Sequence, residues 1–493
     1  MQNFLMQCLR ETVHTTDVLG FLQSNNAPYD AQRTGIESAL VDQHRRLAEI
    51  NATIQQTRQT LLNLLRERIH VQRRIGDYKY VLNPIRLIPK EVLCEIFQCL
   101  VNEDLEKDED QSSYNPTYPL WALPHVSKQW RDVSLNLPRL WSTVRANLTQ
   151  PVQPRQEGLW QPIPVVPNPK APFVLGMQLS RSKQHGLSVS IYSKDSKFSS
   201  TDPILLTLLP TANRWKNLLI WLPLEAYTAL SPFMTSFPDL KSLHLYALNL
   251  ADNEAYKITQ SPLSTMFKFG CPNLKTIALD PLHLPHLQLP YSQITNFDAF
   301  ASVSNSQTCL HTLRHLPNLR YFRMCCNDTG DTAPTVEGGQ VLVLPNMTDL
   351  VLHRNLSGPI HLLKCITPTS LKTLSISGLH RGGVGYLVSF LQRIAGGRGL
   401  IFFEFSSVGL RDVDCIRILE GLPPSLTFLT IDCYESFTDK FVKRFGVESA
   451  KKARLLPKLE VLTISYGHEE GEPLVIMLKE LRPGIKVVRK GTN

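Results

Sequence analysis

The sequence offers few side chains whose types and spacing could support catalysis. His311 and His315 are four residues apart, a spacing at which two imidazoles on one helix can bind a metal ion, but no acidic residue lies near them. The run at 468–470, His-Glu-Glu, lies between glycines, which is typical of a solvent-exposed loop. We therefore interpret these histidines as structural, and we predict no metal site and no cofactor.

Sequence motifs that position a nucleophile, a phosphate or zinc are also absent. The chain contains no GxSxG, GxxxxGK[ST] or HExxH, and the glycines at 382–385 do not extend into GxGxxG. The ten cysteines form no CxxC pair and no His/Cys cluster at zinc-finger spacing, so we interpret them as reduced thiols. We predict a protein that is not an enzyme and has no catalytic residues.

Positive charge is the remaining chemical signal, because the chain has a formal net charge of +9. Residues 440–458 hold 7 basic residues and 1 acidic residue, a composition that could bind nucleic acid or an acidic peptide. No aromatic residues alternate with the bases, and Phe441 and Phe445 have the spacing of a buried helix face. We interpret the segment as the solvated face of a helix, with nucleic acid binding as an alternative.

Composition and length describe the elements that must carry any binding site. Apolar residues make up 43% and charged residues 19% of 493 residues, which indicates a folded protein of two or three units. The first thirty residues lack a basic segment followed by an apolar run, and no later stretch approaches the roughly 18 apolar residues of a membrane span. We expect a cytoplasmic or nuclear protein, or both, without membrane contact.

Residues 31 to about 82 have the pattern of one long helix. Heptad positions a and d, counted from Leu40 and Ile36, are apolar at eleven of fourteen places, and Asn83-Pro84 ends the pattern. A self-associating coiled coil over 36–82 and a helix packed on its own domain both fit, because further leucines widen the stripe and Arg68 interrupts it.

Two short amphipathic helices are predicted next. LIPKEVLCEIFQCL, residues 87–100, begins with a proline suited to the first helical turn and repeats apolar residues at three- and four-residue steps. VSKQWRDVSLNLPRLW, residues 126–141, repeats the pattern and is ended by Pro138. An acidic and then Pro/Ser/Tyr-rich insertion, 102–119, separates them. Two helices this short cannot cover their apolar faces alone, so they need a partner surface.

These residues resemble the F-box, and the arrangement is similar to fungal, basidiomycete-like F-box proteins with an N-terminal coiled helix. Ile88-Pro89-Lys90-Glu91-Val92-Leu93 through Ile96-Phe97 matches LPxEhLxxIF, and Val126 through Ser134 with Pro138-Arg139-Leu140-Trp141 matches the closing pattern. The sequence departs from the family at Ile88, at Ser127 and in the long insertion. The alternative is a pair of ordinary core helices.

The resemblance implies a partner and a role. F-box helices bind a small Skp-type adaptor, which joins a cullin scaffold and a RING subunit in a ubiquitin ligase. By position, the adaptor-binding residues would be Ile88, Pro89, Leu93, Ile96, Phe97, Leu100, Val126 and Trp130. The chain would then be the substrate-recognition subunit of a Skp/cullin/F-box ubiquitin ligase.

From about residue 181 the pattern L-x-x-L-x-L recurs, often after a lead-in such as FPDL, CPNL or LPNL. Its triplets are Trp215/Leu218/Ile220, Leu240/Leu243/Leu245, Leu274/Ile277/Leu279, Leu319/Phe322/Met324, Met347/Leu350/Leu352, Leu371/Leu374/Ile376, Leu400/Phe403/Phe405, Leu426/Leu429/Ile431 and Leu459/Leu462/Ile464. This periodicity predicts an irregular leucine-rich-repeat solenoid with a parallel sheet. A β-sandwich or a doubly wound domain is the alternative.

The predicted fold is therefore a multi-domain α+β chain. Its parts are a flexible N-terminus (1–30), a long helix (31–83), an all-α F-box (84–145), a linker (146–180) and an irregular leucine-rich-repeat α/β solenoid (181–493). Substrate protein would lie on the concave face of the sheet, where the pattern places His244, Tyr246, Arg323, His353, Glu404 and Asp432. The alternative function is a repeat scaffold that oligomerises through its N-terminal coiled coil and never meets a ligase.

Overall fold

The structure is a computed structural model. It describes residues 26–107, 112–115, 118–148, 169–194, 201–223, 236–248, 267–279, 287–301, 306–326, 341–353, 359–394, 399–407, 409–433, 456–465 and 484–489, with single residues such as Tyr227 and Phe441 between these ranges. Two compact units divide the chain, Met1–Pro89 and Lys90–Asn493. Within the described ranges, no helix combines the length and apolar composition needed to span a bilayer.

The first unit contains one long helix, α1, which runs Asp30–Val81. Its 52 residues correspond to about 78 Å at 1.5 Å per residue, and the helix predicted over 31–82 is confirmed. The helix ends where proline removes a backbone donor: the Asn83 side chain accepts a hydrogen bond from the Ile85 amide at 3.0 Å, and Pro84–Leu87 forms a 3₁₀ turn. Of the segment predicted to be a flexible N-terminus, most residues lie outside the described ranges.

The second unit begins with three α-helices, α2 (Lys90–Lys107), α3 (Pro119–Val126) and α4 (Lys128–Leu135), followed by a 3₁₀ turn, Pro138–Trp141. Ser127 separates α3 from α4 and caps α4, because its hydroxyl accepts a hydrogen bond from the Trp130 amide at 3.1 Å. Part of the predicted insertion is ordered, since Ser113, Tyr114 and Tyr118 are buried. Residues 108–111 and 116–117 lie outside the described ranges.

A parallel sheet of thirteen strands forms the body of the second unit. Its strands are β1 (Thr143–Asn147), β2 (Leu187–Tyr192), β3 (Trp215–Pro223), β4 (Ser242–Leu248), β5 (Thr276–Leu279), β6 (Asn296–Ala301), β7 (Tyr321–Cys326), β9 (Asp349–His353), β11 (Thr373–Leu379), β12 (Phe402–Ser407), β13 (Phe428–Cys433), β14 (Val461–Ser465) and β15 (Lys486–Arg489). Strands β8 (Leu342–Val343) and β10 (Ile366–Thr367) pair separately. Each strand of the large sheet lies beside the next one in chain order, as in stacked repeats.

Helices connect several of these strands: α5 (Ala171–Arg181), α6 (Pro203–Leu208), α7 (Ser306–Arg314), α8 (Val384–Ile394) and α9 (Asp412–Gly421). Every residue of the nine predicted triplets is buried, most with no exposed surface. One apolar cluster runs from Tyr114, before β1, to Ile485, before β15. No single repeat could bury its strand alone, so the stacking stabilises all of them. The mixed α/β chain, with its long helix and parallel sheet, resembles a leucine-rich-repeat fold.

The lead-in turns join consecutive repeats through asparagine side chains. Asn273 donates to the Pro238 carbonyl at 2.7 Å and Asn318 to the Ser292 carbonyl at 2.7 Å, each in the preceding turn. Asn346 continues the series to Asn318 at 3.2 Å. The bonds explain why the lead-in recurs. Asn327 and Asn355 stand in the sequence where the common leucine-rich repeat has a conserved-type asparagine that bonds to neighbouring repeats. Both lie outside the described residues.

Strands also occur where the sequence pattern did not count a repeat. Phe297 and Ala299 of β6 are buried, as is Ile294 just before the strand. Strand β1 begins in the segment predicted as the F-box and ends in the segment predicted as a linker, which also contains most of α5. Small residues such as Ala146 and Ala299 fill the core positions there, and they give no signal in a search for large apolar side chains.

The segment α2–α4 packs on the first strands of the sheet. The Trp121 and Trp141 rings meet edge to face at 5.2 Å, and the Arg181 guanidinium lies 4.5 Å from the Trp141 ring centre. The Ser113 amide donates to the Arg145 carbonyl at 3.1 Å, so residues beside α3 satisfy the outer edge of β1. A covered edge strand is protected from pairing with another chain.

Candidate protein-binding surfaces

Helix α2 carries two apolar stripes with different environments. Leu93, Phe97 and Val101 are buried and follow each other at four-residue steps, which places them on one face. One residue earlier, and so about 100° round the helix, lie Val92, Ile96 and Leu100. Their exposed fractions are 47%, 44% and 38%. The first stripe holds the helices together, and the second has no cover among the described residues.

The eight predicted adaptor-binding residues therefore divide into two groups. Leu93 and Phe97 have almost no exposed surface, and the Phe97 ring centre is 4.8 Å from that of a half-buried Trp130. These side chains cannot fill a partner's groove without opening the core. Ile96, Leu100 and Val126 are exposed, Val126 by 50%. Pro89 is exposed and Ile88 half-buried, and both belong to the first unit.

The open face of the sheet, opposite its buried face, carries the predicted substrate residues between the core positions. Arg323 lies beside Asp298 in register and forms an ion pair with it. Burial lowers the pKa of His244 below its usual value, Asp298 opposes this shift and Arg323 adds to it, so the neutral imidazole is favoured. Burial, and then Asp298, raises the pKa of Tyr246. These four side chains form one polar cluster.

Asp298 was missed by the sequence analysis because β6 was not counted as a full repeat. Its hydrogen bond raises the pKa of Arg323, whose charge it also neutralises. Among the described residues, neither Asp298 Oδ1 nor Arg323 Nε has a hydrogen-bond partner. Arg323 is therefore not a free cation for an acidic ligand.

An aromatic row adjoins this cluster, and two of its three members, Tyr192 and Trp221, were missed. Tyr192, Trp221 and Tyr246 occupy equivalent positions on β2, β3 and β4, with ring centres 5.5 and 6.0 Å apart. His244 meets Tyr246 edge to face at 6.3 Å. The sequence signal was available, because Trp221 and Tyr246 directly follow the last core residues of the first two triplets, Ile220 and Leu245. Tyr192 is buried, whereas Trp221 and Tyr246 offer half-buried aromatic surface of the kind found at protein recognition sites.

The other predicted substrate residues lie further along the sheet. His353 on β9 is 2.8 Å from the Ser377 hydroxyl, and Glu404 on β12 accepts a hydrogen bond from Ser375 at 3.3 Å. Asp432 on β13 lies beside Ser406 in register. From His244 to Asp432 there are seven strand spacings, about 34 Å at 4.8 Å each. The six residues therefore share a face but do not form one small-ligand pocket.

The remaining chemical candidates give no site. His311 and His315 have ring centres 5.0 Å apart, and the part of the chain that the structure describes contains no group of three or more metal-ligating side chains. Burial raises the pKa of Cys271 to about 12, which makes its thiol unreactive. In the basic segment 440–458, Phe441 is buried and Arg444 pairs with Glu420 at 3.1 Å. Lys451, Lys452 and Arg454 lie outside the described residues, as do 468–470.

Comparisons with known proteins add little to this description. No protein-family model matches the sequence, and no curated protein matches it. Among solved structures the chain is similar to the leucine-rich repeat-containing protein LegL7 from Legionella pneumophila, at 13% identity and a TM-score of 0.32. The match covers 70% of this chain and 91% of that one. The repeat assignment rests instead on the strand order and the buried triplets.

Proposed function

We propose that the chain is the substrate-recognition subunit of a Skp/cullin/F-box ubiquitin ligase. The observation that carries the proposal is the second apolar stripe of α2, Val92, Ile96 and Leu100, which stays exposed after the first stripe has been buried. An exposed apolar stripe on a helix is typical of a protein interface. The sequence resemblance to the F-box identifies a Skp-type adaptor as the partner.

The proposed mechanism requires no chemistry from this chain. A receptor accelerates ubiquitin transfer by holding a substrate lysine close to the charged conjugating enzyme, which raises its effective concentration. Rigid geometry between the two binding surfaces then matters more than any single side chain. Packing of α2–α4 on β1 through Trp121, Trp141 and Arg181 supports that rigidity.

The test measures binding of the full chain to purified Skp-type adaptor. Ile96→Asp combined with Val126→Asp should abolish binding, because each places a charge in an apolar contact, while the melting temperature stays unchanged. Val413→Asp is the matched control, since Val413 is an exposed apolar residue on α9, far along the chain from α2. Phe97→Ala is unsuitable as the main test because it would open the core of the helical segment.

Two results would contradict the proposal. One is no binding of adaptor by the well-folded native chain at micromolar concentrations. The other is equal loss of binding in the Ile96/Val126 variant and in the Val413 variant, because the effect would then be unrelated to α2.

The scaffold alternative is favoured by one observation on α1. Fifteen large apolar side chains along the helix are exposed by 42% to 66%, and they include the seam residues Leu47, Ile54 and Leu61. A second copy of the same helix would cover such a seam as a coiled coil. This self-association is compatible with adaptor binding, so the two proposals are tested separately.

A further inference from the structure

A row of equivalent residues follows the edge of the sheet at which the strands begin, and the first part of this row is basic. Its members occupy equivalent positions in successive repeats, because each backbone amide donates to the carbonyl of the preceding member at 2.7–3.0 Å. From β3 to β15 the members are Lys216, Lys241, Lys275, Thr295, Arg320, Thr348, Lys372, Ile401, Thr427, Glu460 and Lys486. We call these eleven residues the edge row.

The first seven positions of the edge row hold five cations and no acid. Four of the five, Lys241, Lys275, Arg320 and Lys372, are exposed. None of the five forms an ion pair among the described residues. Two carboxylates lie beside the row in sequence, Asp239 and Asp349, and Asp349 already accepts a hydrogen bond from Thr348 at 2.6 Å. The row therefore has a net positive charge that this part of the chain does not neutralise.

Neighbouring residues extend the positive field beyond the first strand of the row. Burial lowers the pKa of His185, and Lys216, Arg139 and Arg214 lower it further. On the open face, by contrast, Arg323 is neutralised by Asp298. Unpaired positive charge is therefore concentrated on the sheet edge, where it can act on a ligand.

The basic part of the edge row, Lys216 to Lys372, ends on an apolar patch. After Lys372 the next member is Ile401, which is 42% exposed. Beside it, Phe402 and Phe428 are neighbours in register, and Phe428 is 39% exposed. Every residue of a nucleic acid carries a phosphate, so it has no uncharged aliphatic unit to place against Ile401. A polypeptide can place acidic and apolar side chains in sequence.

Dimensions of the row also fit an extended peptide. The seven positions from Lys216 to Lys372 span six strand spacings, about 29 Å at 4.8 Å each. An extended chain rises about 3.4 Å per residue and turns every second side chain to the same face. A segment of about nine residues would therefore cover the row and meet it with four or five carboxylates.

We propose that the edge row binds an extended acidic segment of a partner protein. Carboxylates of that segment pair with Lys216, Lys241, Lys275, Arg320 and Lys372, and an apolar side chain at one end packs against Ile401 and Phe428. The open face of the sheet and the adaptor-binding stripe of α2 take no part. The inference therefore stands whether or not the chain binds an adaptor.

The experiment uses the full chain and fluorescein-labelled eleven-residue peptides. Each probe holds nine Asp, Glu and Ser residues with Leu-Phe at one end, made in both orders because the direction of binding is open. Reference probes replace Asp and Glu by Asn and Gln, or lack Leu-Phe. A twelve-nucleotide thymidine oligomer tests for nucleic acid. Fluorescence anisotropy gives Kd at two salt concentrations.

Lys241→Gln/Lys275→Gln/Arg320→Gln should weaken peptide binding about tenfold, and higher salt should weaken binding to the native chain. The matched control is Lys128→Gln/Lys170→Gln/Arg417→Gln, which removes the same charge from exposed positions outside the row and should change Kd less than twofold. Ile401→Ser/Phe428→Ser should weaken only the probes that carry Leu-Phe. The changed charged side chains are exposed and Ile401 and Phe428 lie outside the buried core, so circular dichroism should show unchanged folding.

Three results would overturn the proposal. The acidic probes could fail to bind the native chain at low salt. The two charge variants could lose the same affinity, which would reduce the effect to net charge. Finally, the oligonucleotide could bind more tightly than any peptide and lose affinity in the edge-row variant, which would assign the row to nucleic acid.

Discussion

The Asp298–Arg323 ion pair determines how much free charge the open face of the sheet presents. Asp298 is largely buried between strands and Arg323 is about 41% exposed, so solvent screens the pair only in part. Removing the guanidinium would leave a desolvated carboxylate whose Oδ1 already lacks a partner among the described residues. The pair therefore contributes more to the stability of β6 and β7 than to binding of an acidic ligand.

Arg323→Met is expected to lower the free energy of unfolding by about 1–2 kcal/mol, because it leaves the Asp298 charge unpaired. Adding Asp298→Asn should recover most of this loss, since the buried charge is then gone as well. Chemical denaturation of the four proteins of this double-mutant cycle measures the coupling. Arg417→Met is the control, and as an exposed change it should stay within about 0.5 kcal/mol. Equal stabilities of all four proteins would show that solvent screens the ion pair.

Sequence reasoning located Arg323 but not its partner, and the cause lies in single residues. The pattern L-x-x-L-x-L places Arg323 between Phe322 and Met324, two large core residues. Asp298 lies between Phe297 and Ala299, and an alanine at a core position is not distinguishable from one in a loop. Burial has the same limit in α2, where sequence alone could not tell the buried stripe from the exposed one.

Helix α1 could be predicted at the scale of the element but its partner could not. Its ends follow from local chemistry, with the Gln32 side chain accepting from the Tyr29 amide at 3.3 Å and Pro84 closing the other end. An apolar seam, however, is satisfied by any complementary surface. The heptad pattern therefore leaves open whether a second copy covers it.

Ile54→Asp/Leu61→Asp tests self-association through α1, because both residues occupy position a of the predicted seam. If two copies pair there, the full chain should sediment as a dimer and the variant as a monomer. Ala52→Asp/Gln59→Asp is the control: it adds the same charge to the same helix turns on the opposite face and should remain dimeric. A native chain that sediments as a monomer at tens of micromolar would contradict the scaffold alternative.

At the scale of the whole chain, the helical segment α2–α4 and the sheet form one compact unit that begins at Lys90. The sequence predicts the repeats because their triplets recur, but it gives no signal for the contact between the segment and β1. That contact depends on side chains far apart in sequence, such as Ser113, which donates to Gln178 at 2.9 Å. The segment caps the first repeat, and capping units are what stacked repeats require at their ends.

Trp141→Ala tests this coupling. Trp141 is fully buried, donates from Nε1 to the Ser134 carbonyl at 2.8 Å and packs against Trp121 and Arg181, so its removal should cost about 3–5 kcal/mol. Because each repeat contacts mainly its neighbours, amide hydrogen exchange should accelerate in α2–α4 and β1–β3 and change little in β12–β14.

Phe403→Ala, an equally buried aromatic on β12, is the matched control and should reverse this pattern. Unchanged protection of β1 and β2 in the Trp141 variant would mean that the helical segment is a separable domain. A uniform loss across all thirteen strands would mean that the sheet unfolds as one cooperative unit. Only the graded result supports a helical segment that caps the sheet and stabilises the nearest repeats most. Such a cap would keep the helical segment rigid on the sheet, as the proposed substrate receptor needs between its two binding surfaces.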